Sequence, residues 1–558
     1  MAFVARFTQP TDTGPDAFSI CNMSPLARQT ELRSADHGRL TFVGRVRLDR
    51  REELLAELRV EAADLKADPG DAELALLAYS VWGDSAADHL HGDFAFAIHD
   101  AAKGKLFCAR DRIGVRTLAY LQHSGSWWVS DSLAELLQVS EFSNQNYDPI
   151  WVADFLASGV SSDPARSAYA NVKRLVPGHV MSITLAGAEV QRYWQLELGD
   201  PLILGSPSQY RERFHALLSA SLRDRLPADT VGIMLSGGLD SSSMAALSVE
   251  LTGHDRVTGL TMLICPDRDP ETAASAAVAA HLGIRHGQID AGQLFYDPRW
   301  YEATTSTAEP ALVVTMPPGY TAMIQAMARD AAVWFYGEGP DNALTFEWCA
   351  YLRWLRQCGK WWLLLTSVAT YLRTKSLREW RTTLAVWTGR KSTFWPAPDT
   401  PWVRQPERPA TPKAALTPSW RPLALANLRG PLWPEFLEAL DTQYAAAGID
   451  WRHPYLDLRL LEFMLHTPPI PWARRKRLIR QAMARRLPRS ILTRDKTPLH
   501  HDLSTEQLRR DMPPMPGKGS PVEAFVDLAK LPSEPSRAVD PTALLRVAIL
   551  DHWLIANS

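Results

Sequence analysis

Val231-Gly-Ile-Met-Leu-Ser-Gly-Gly-Leu-Asp-Ser-Ser242 is an apolar run that breaks at two glycines and resumes in a helix-forming stretch, Ser241 to Leu251. The pattern predicts a strand, a tight turn and a helix. Gly237 and Gly238 let the backbone turn and aim consecutive N–H groups inward, while the helix start adds its positive dipole end. Such a nest suits an anion the size of pyrophosphate. Ser236, Ser241 and Ser242 add hydroxyl donors, and Asp240 offers a carboxylate to a magnesium ion bridging phosphates. A plain Gly-Gly turn with capping serines would share the first glycines but not the whole heptad. No Lys follows the glycines at the Walker A position, so this is not that loop.

Outward from this stretch, strands alternate with helices, which predicts an α/β domain on a parallel sheet. Tyr210 to Leu226 is an amphipathic helix, Val257 to Ile264 a strand, Glu271 to Leu282 an Ala-rich helix and Ala332 to Tyr336 a third strand. Residues 346–440 are rich in Trp and Arg and read as a helical insertion with an extended, Pro-rich arm. Toward the N-terminus the pattern differs. Phe94–Ile98, Lys105–Ala109 and Trp127–Val129 are short apolar strands, with helical spacing over Leu54–Ala63 and Glu73–Trp82. Gly/Pro punctuation at Leu198–Pro201 and Leu204–Pro207 marks a linker. The division is 1–195, a linker at 196–208, and 209–558.

A chain of 558 residues is too long for one core. Lys plus Arg number 60 and Asp plus Glu 62, a net charge of −2, which argues against non-specific binding of nucleic acid. The five cysteines are scattered, with no C-x-x-C pair, so neither a disulfide scaffold nor a structural zinc site is expected. Trp361 to Leu372, the most membrane-like stretch, is far shorter than the ~20 residues that span a bilayer. With no evident secretory signal, a cytoplasmic protein with neither nucleic-acid nor membrane partner is expected.

Ser236–Ser242 closely resembles the pyrophosphate loop of N-type ATP pyrophosphatases, a HUP-like fold. Gly92–Ile98, Ala109-Arg-Asp-Arg-Ile-Gly-Val-Arg116, Leu175–His179 with Tyr193-Trp194, Trp451-Arg-His-Pro-Tyr-Leu-Asp457, Arg475–Arg480 and Arg494-Asp-Lys496 extend the likeness to the asparagine synthetase family. The resemblance implies an N-terminal amidotransferase-type αββα sandwich and a C-terminal synthetase domain that adenylates a carboxylate with ATP and Mg2+. It also implies roles. Leu235, Ile264, Tyr336 and Gly337 would meet the nucleotide. Ser236, Gly237, Gly238, Asp240, Ser241, Ser242 and Lys476 would meet its phosphates. Asp240 and Asp341 would hold magnesium, and Glu338 would serve as general base. Lys496 would stabilise the transition state, a role whose loss lowers the rate by about 10²–10³.

What departs from the family narrows the branch. Glutamine-dependent members place a cysteine after the initiator Met, where this chain has Ala2, and Asn-Gly-Glu where it has Val43-Gly44-Arg45. An apolar residue and a reversed charge replace the groups that would grip glutamine, so an inactive front half is expected. The amine then comes most simply from the substrate itself. Gly337-Glu-Gly-Pro-Asp-Asn342 is similar to the pattern of lasso peptide cyclases, with Pro340 for the usual Gly, whereas related β-lactam-forming enzymes carry Tyr at the Glu338 position. Trp348, Trp354, Trp361, Trp362, Trp380, Trp387 and Trp395 would either grip an extended peptide or pack a helical subdomain.

The expected activity is formation of an isopeptide macrolactam in a precursor or core peptide. A leader peptidase and a leader-recognition protein are the candidate partners. A β-lactam-synthetase-like or asparagine-synthetase-like enzyme is the nearest rival, and a non-catalytic precursor-binding protein the rival of another class.

Overall fold

Phe94, Phe96 and Ile98 face one side of their strand and Ala95 and Ala97 the other, and this alternation sorts the N-terminal half into layers. The computed structural model of the chain describes residues 3–8, 17–21, 30–33, 39–61, 68–139, 146–263, 270–290, 296–302, 307–316, 318–373, 400–406, 419–445, 447–494, 508–532 and 539–558. The N-terminal strands are β1 (Val4–Thr8), β2 (Ala17–Cys21), β3 (Thr30–Arg33), β4 (Leu40–Leu48), β5 (Gly92–Asp100), β6 (Lys105–Arg110), β7 (Ala119–His123), β8 (Ser126–Ser130), β9 (Val172–Arg174), β10 (His179–Thr184) and β11 (Gly187–Arg192). They form two antiparallel sheets, ordered β2-β1-β8-β7-β9 and β11-β10-β6-β5-β4-β3.

Phe3, Phe7, Val43, Ala95, Ala97, Leu106, Cys108 and Met181 fill the space between the sheets. On the outer face of the larger sheet, Phe42, Phe94 and Phe96 meet Leu54, Leu58 and Leu74 of the Arg51–Glu61 and Asp71–Trp82 helices. On the outer face of the smaller sheet, Leu121 and Trp128 meet Leu136, Trp151 and Phe155 of two further helices, Leu133–Val139 and Pro149–Ser158. The expected αββα sandwich is therefore present. The last helix of the chain, Pro541–Ala556, returns to this layer, and Arg546 donates to the Leu156 and Ala157 carbonyls at 3.0 and 2.9 Å.

The C-terminal half carries β12 (Val231–Met234), β13 (Val257–Leu263), β14 (Arg285–Asp290), β15 (Val333–Phe335) and β16 (Asp450–Arg452), all parallel, in the order β14-β13-β12-β15-β16. The chain moves from β12 toward one edge and then returns to β15 on the other side. That reversal opens a crevice at the strand ends between β12 and β15, where ligands of open α/β sheets bind.

Two boundaries differ from the sequence reading. The first helix of this half begins at Pro207, inside the expected 196–208 linker, because Ser206 and Gln209 form a reciprocal capping box. Within the expected 346–440 insertion, the Leu432–Ala445 helix does not stand apart. Its Trp433 and Leu437 pack with Val115 of the front half, and its carboxylates pair with arginines there. Trp348 stacks on Tyr371 at 4.6 Å and Trp354 lies 6.3 Å from Trp420, so both pack the helical subdomain. Trp380, Trp387 and Trp395 lie outside the described residues. Among the described residues, no helix is long and apolar enough to cross a membrane.

Candidate active site

β12 ends at Met234 and the Leu239–Thr252 helix starts five residues later, so the chain must turn within Leu235–Gly238. Gly237 makes that turn with φ +65°, and a Cβ there would lie 2.5 Å from the Ser275 amide nitrogen, so no other residue fits without moving a helix. Gly238 is the N-cap and lends no side chain, leaving the first amides of the helix to a ligand. Ser236 and Ser241 tie the loop, their hydroxyls 3.1 Å apart, and the Ser236 Oγ accepts from the Gly238 amide at 3.2 Å. Ser242 is fully buried beneath the loop. The Leu235 amide donates to the Leu260 carbonyl, which fixes the end of β12 against β13.

Across the crevice, the segment after β15 closes on this loop. A Cβ on Gly337 would sit 3.3 Å from Met244 Cε and 3.6 Å from the Ser241 amide nitrogen, so the backbone passes close to the helix start. Tyr336 packs edge-on against Trp451 at 5.5 Å. Burial, with the Glu338 charge adding to it, pushes the Tyr336 phenol up to about 12, and the half-buried Glu338 borders it. Gly339 and Pro340 then open a short helix that presents Asp341 half-exposed to the crevice.

Lys476 joins the two sides. Its ammonium pairs with the Asp240 carboxylate and with Asp341 Oδ1 at 2.7 Å. Burial pulls its pKa down, but Asp240 and Asp341 outweigh burial and hold it above the ordinary lysine value, so it stays cationic at neutral pH. It sits on a turn where Arg475 and Lys476 both adopt left-handed backbone, φ +50° and +51°, a strained arrangement for side-chain-bearing residues.

Arg480 braces that turn. It donates to the Arg475 carbonyl at 2.6 Å, to the Leu492 carbonyl, and to the Arg494 carbonyl at 2.7 Å. Arg494 in turn donates to the Gly237 carbonyl at 3.4 Å. Tyr455, fully buried, donates from its hydroxyl to the Asp240 carbonyl at 3.1 Å. The sequence motifs alone assign no role to Arg480 or Tyr455, although Arg480 lies within the Arg475–Arg480 basic motif and Tyr455 within Trp451–Asp457.

The structure thus brings together Leu235, Ser236, Gly237, Gly238, Asp240, Ser241, Ser242, Tyr336, Gly337, Glu338, Asp341 and Lys476. Ile264 and Lys496 lie outside the described residues. The donor set fits a polyphosphate with a hard divalent cation: amides and an ammonium for the phosphates, two carboxylates for the ion.

The front half presents a contrasting arrangement. Val43 is fully buried between the sheets, and a Cβ on Gly44 would collide with Phe96 at 2.3 Å. Arg45 reaches across to the C-terminal half and donates to both oxygens of Asp441, at 2.7 and 2.9 Å. Arg116 bonds Asp441 and Asp450, and Arg174 bonds Glu309 and Glu438. Arg225 pairs with Asp49 of the front half and with Asp457. Asp49, Asp224 and Asp457 cluster, but Arg225 and Arg459 pair with them, so the group is an ion-pair network. A cavity beside it is lined by Asp49, His91, Asp93, Asp111 and Arg225.

The Asparagine synthase family profile matches residues 213–518, and the Glutamine amidotransferase domain profile matches residues 11–194. The chain belongs to the asparagine synthase family. Members are ATP-dependent amide-forming ligases that release AMP and pyrophosphate, and this chain is an enzyme of that kind. It is similar to asparagine synthetase [glutamine-hydrolyzing] 3 of Bacillus subtilis (strain 168), with 24% identity over 81% of this chain and 74% of that protein. It is also similar to amidase chyE of Penicillium rubens, 32% identical over 32% of this chain and 27% of that protein, so it spans about a quarter of the amidase. Among solved structures, glutamine phosphoribosylpyrophosphate amidotransferase from B. subtilis aligns over 55% of this chain and 62% of its own, at 12% identity and a TM-score of 0.23.

Proposed function

We propose that this family member is a peptide macrocyclase of the lasso type. It would activate an Asp or Glu side chain of a core peptide as its acyl-adenylate and close the ring with the peptide's own N-terminal amine. The observation that carries this branch is Arg45: the side chain at the position where relatives would grip glutamine is bound at both ends of its fork to Asp441.

The substrate carboxylate attacks the α-phosphorus of ATP, and the bond to the β-phosphate oxygen breaks. The amides of Gly238 and the following helix turn, with the Lys476 ammonium, receive the departing pyrophosphate. Asp240 and Asp341 would hold a magnesium ion, which supplies charge neutralisation on the phosphates when bound. Lys476 links these two carboxylates in the free enzyme and would turn to the pyrophosphate as the ion binds.

In the second half-reaction the amine adds to the acyl carbon and AMP leaves with the bonding pair. Glu338 would take the proton the amine sheds, a role worth about 10²–10⁴-fold, and Lys496 would stabilise the developing oxyanion.

A second reading, an asparagine-synthetase-like enzyme, is favoured by one observation: the relative aligned over most of this chain is named as glutamine-hydrolysing. One experiment separates the two. Incubated with ATP, Mg2+ and a leader-free core peptide, the chain is expected to yield AMP, pyrophosphate and a peptide lighter by one water. Asparagine formed from aspartate and glutamine would support the second reading instead.

A further inference from the structure

The Trp361–Arg373 helix packs Tyr371, Leu363 and Leu364 on the helical subdomain, yet keeps a second apolar face turned outward. Ser367 and Tyr371 face the protein, 6% and 7% exposed, while Trp361, Trp362, Leu365 and Leu372 face outward at 58%, 79%, 63% and 45%. With Ala369, also exposed, the outward residues recur at helical spacing and form one continuous apolar face. The helix hides its own polar groups as well. Thr366 donates its hydroxyl to the Trp362 carbonyl at 3.0 Å, and Thr370 donates to the Thr366 carbonyl at 2.8 Å.

Charge along this stretch of sequence is one-sided. From Trp348 through Arg373 the sequence holds Arg353, Arg356, Lys360 and Arg373 and no acidic residue, in a chain whose net charge is −2. Arg353, Arg356 and Arg373 are exposed, and Lys360 pairs with Asp200 at 2.8 Å.

We infer that this helix docks the enzyme flat on an anionic lipid surface, with Trp361, Trp362, Leu365 and Leu372 entering the headgroup boundary and the flanking arginines meeting lipid phosphates. Tryptophan and leucine beside basic residues make up the composition of interfacial helices. A helix of thirteen residues is about 20 Å long, too short to span a bilayer but suited to lying in its plane. The same shortness argues against a second copy as the occupant. A face about 20 Å by 10 Å is roughly 200 Å², well under the about 800 Å² per partner that a stable dimer buries. The sequence expectation of no membrane partner concerns spanning length and a secretory signal; the outward face concerns lying on the surface. The inference is independent of which amide the enzyme makes.

Flotation of the full chain with vesicles tests it, using phosphatidylcholine alone or mixed with phosphatidylglycerol. Co-flotation is expected with the mixed vesicles, weakening at high salt. The triple variant Trp361→Ser, Trp362→Ser, Leu365→Ser should bind at least about tenfold more weakly, and Arg373→Glu should also lose affinity. Circular dichroism melting should show both variants folded, as expected for substitutions on an outward face. The inference is overturned if neither vesicle carries the protein, if neutral and anionic vesicles bind alike, or if the triple variant binds unchanged. It is equally overturned if the wild-type chain is a dimer that the triple variant dissolves, or if core peptide displaces the protein from vesicles.

Discussion

The loop at Ser236–Ser242 and the strand at Val43–Arg45 both rest on a glycine that nothing larger could replace, yet they treat charge in opposite ways. At the loop, Asp240 and Asp341 both pair with Lys476 at the mouth of a crevice, and Asp341 remains about half-exposed. These partners can be exchanged for a ligand. Around that strand, at the junction of the two halves, Arg45, Arg116, Arg174 and Arg225 pair with carboxylates of the opposite half, most of them deeply buried. A binding site keeps its charges exchangeable, whereas a scaffold saturates them. Ion pairs from the front half hold the Leu432–Ala445 helix and β16 in place.

Four substitutions probe that contrast, taken in order of falling effect. Lys476→Ala should lower ATP–pyrophosphate exchange by about 10²–10³ while leaving the fold intact, since it removes the only described ammonium between Asp240 and Asp341. Unchanged exchange would place the phosphates elsewhere. Arg45→Glu should destabilise the protein by about 3 kcal/mol in urea unfolding, because it sets a second carboxylate beside Asp441. It should not create glutaminase activity; if it did, the front half would be a suppressed site rather than a scaffold.

His453 connects the two regions to pH. Burial, with Arg116 and Arg225 opposing the imidazolium, lowers its pKa to about 4. Between its ordinary value and that one, only the unfolded chain binds the proton, so stability is full above about pH 6.5 and falls on acidification toward 4. From pH 7 to 5 the loss from this group is about 2 kcal/mol. Burial raises Glu435 to about 7 and Asp131 to about 6, and these act in the opposite direction. The test is therefore the difference between wild type and His453→Gln in urea unfolding at the two pH values. Equal acid sensitivity would remove His453 from the account. The smallest effect belongs to Tyr455→Phe, which deletes the hydrogen bond to the Asp240 carbonyl. A loss of about 1 kcal/mol is expected, with exchange reduced several-fold through KM rather than kcat. A pure loss of stability would make Tyr455 a packing residue only.

Sequence carried much of the C-terminal half because its signals are local. The strand, two glycines and helix of Val231–Leu251 are adjacent in the chain, and β5 alternates visibly. β14 escaped notice because Arg285-His-Gly-Gln-Ile-Asp290 is a polar edge strand, and β16 because it is only three residues long. The docking of Pro541–Ala556 on the front half, and the role of Leu432–Ala445 as a wedge, depend on pairs such as Arg45 and Asp441, 396 residues apart. A single sequence gives no means of pairing such residues. Arg480 illustrates the same limit within the site: a basic motif predicts charge near phosphate, but its bonds to three carbonyls, a bracing role, are visible only in three dimensions.

The central claim is that nucleotide energy joins two groups of one peptide while the front half takes no part in the chemistry. Quantifying AMP, ammonia and peptide mass in one reaction tests it most directly, with ATP, Mg2+, core peptide and glutamine all present. One AMP for each dehydrated peptide, with glutamine untouched, is the predicted result. Ammonia released from glutamine in step with AMP, with the peptide unchanged, would contradict it.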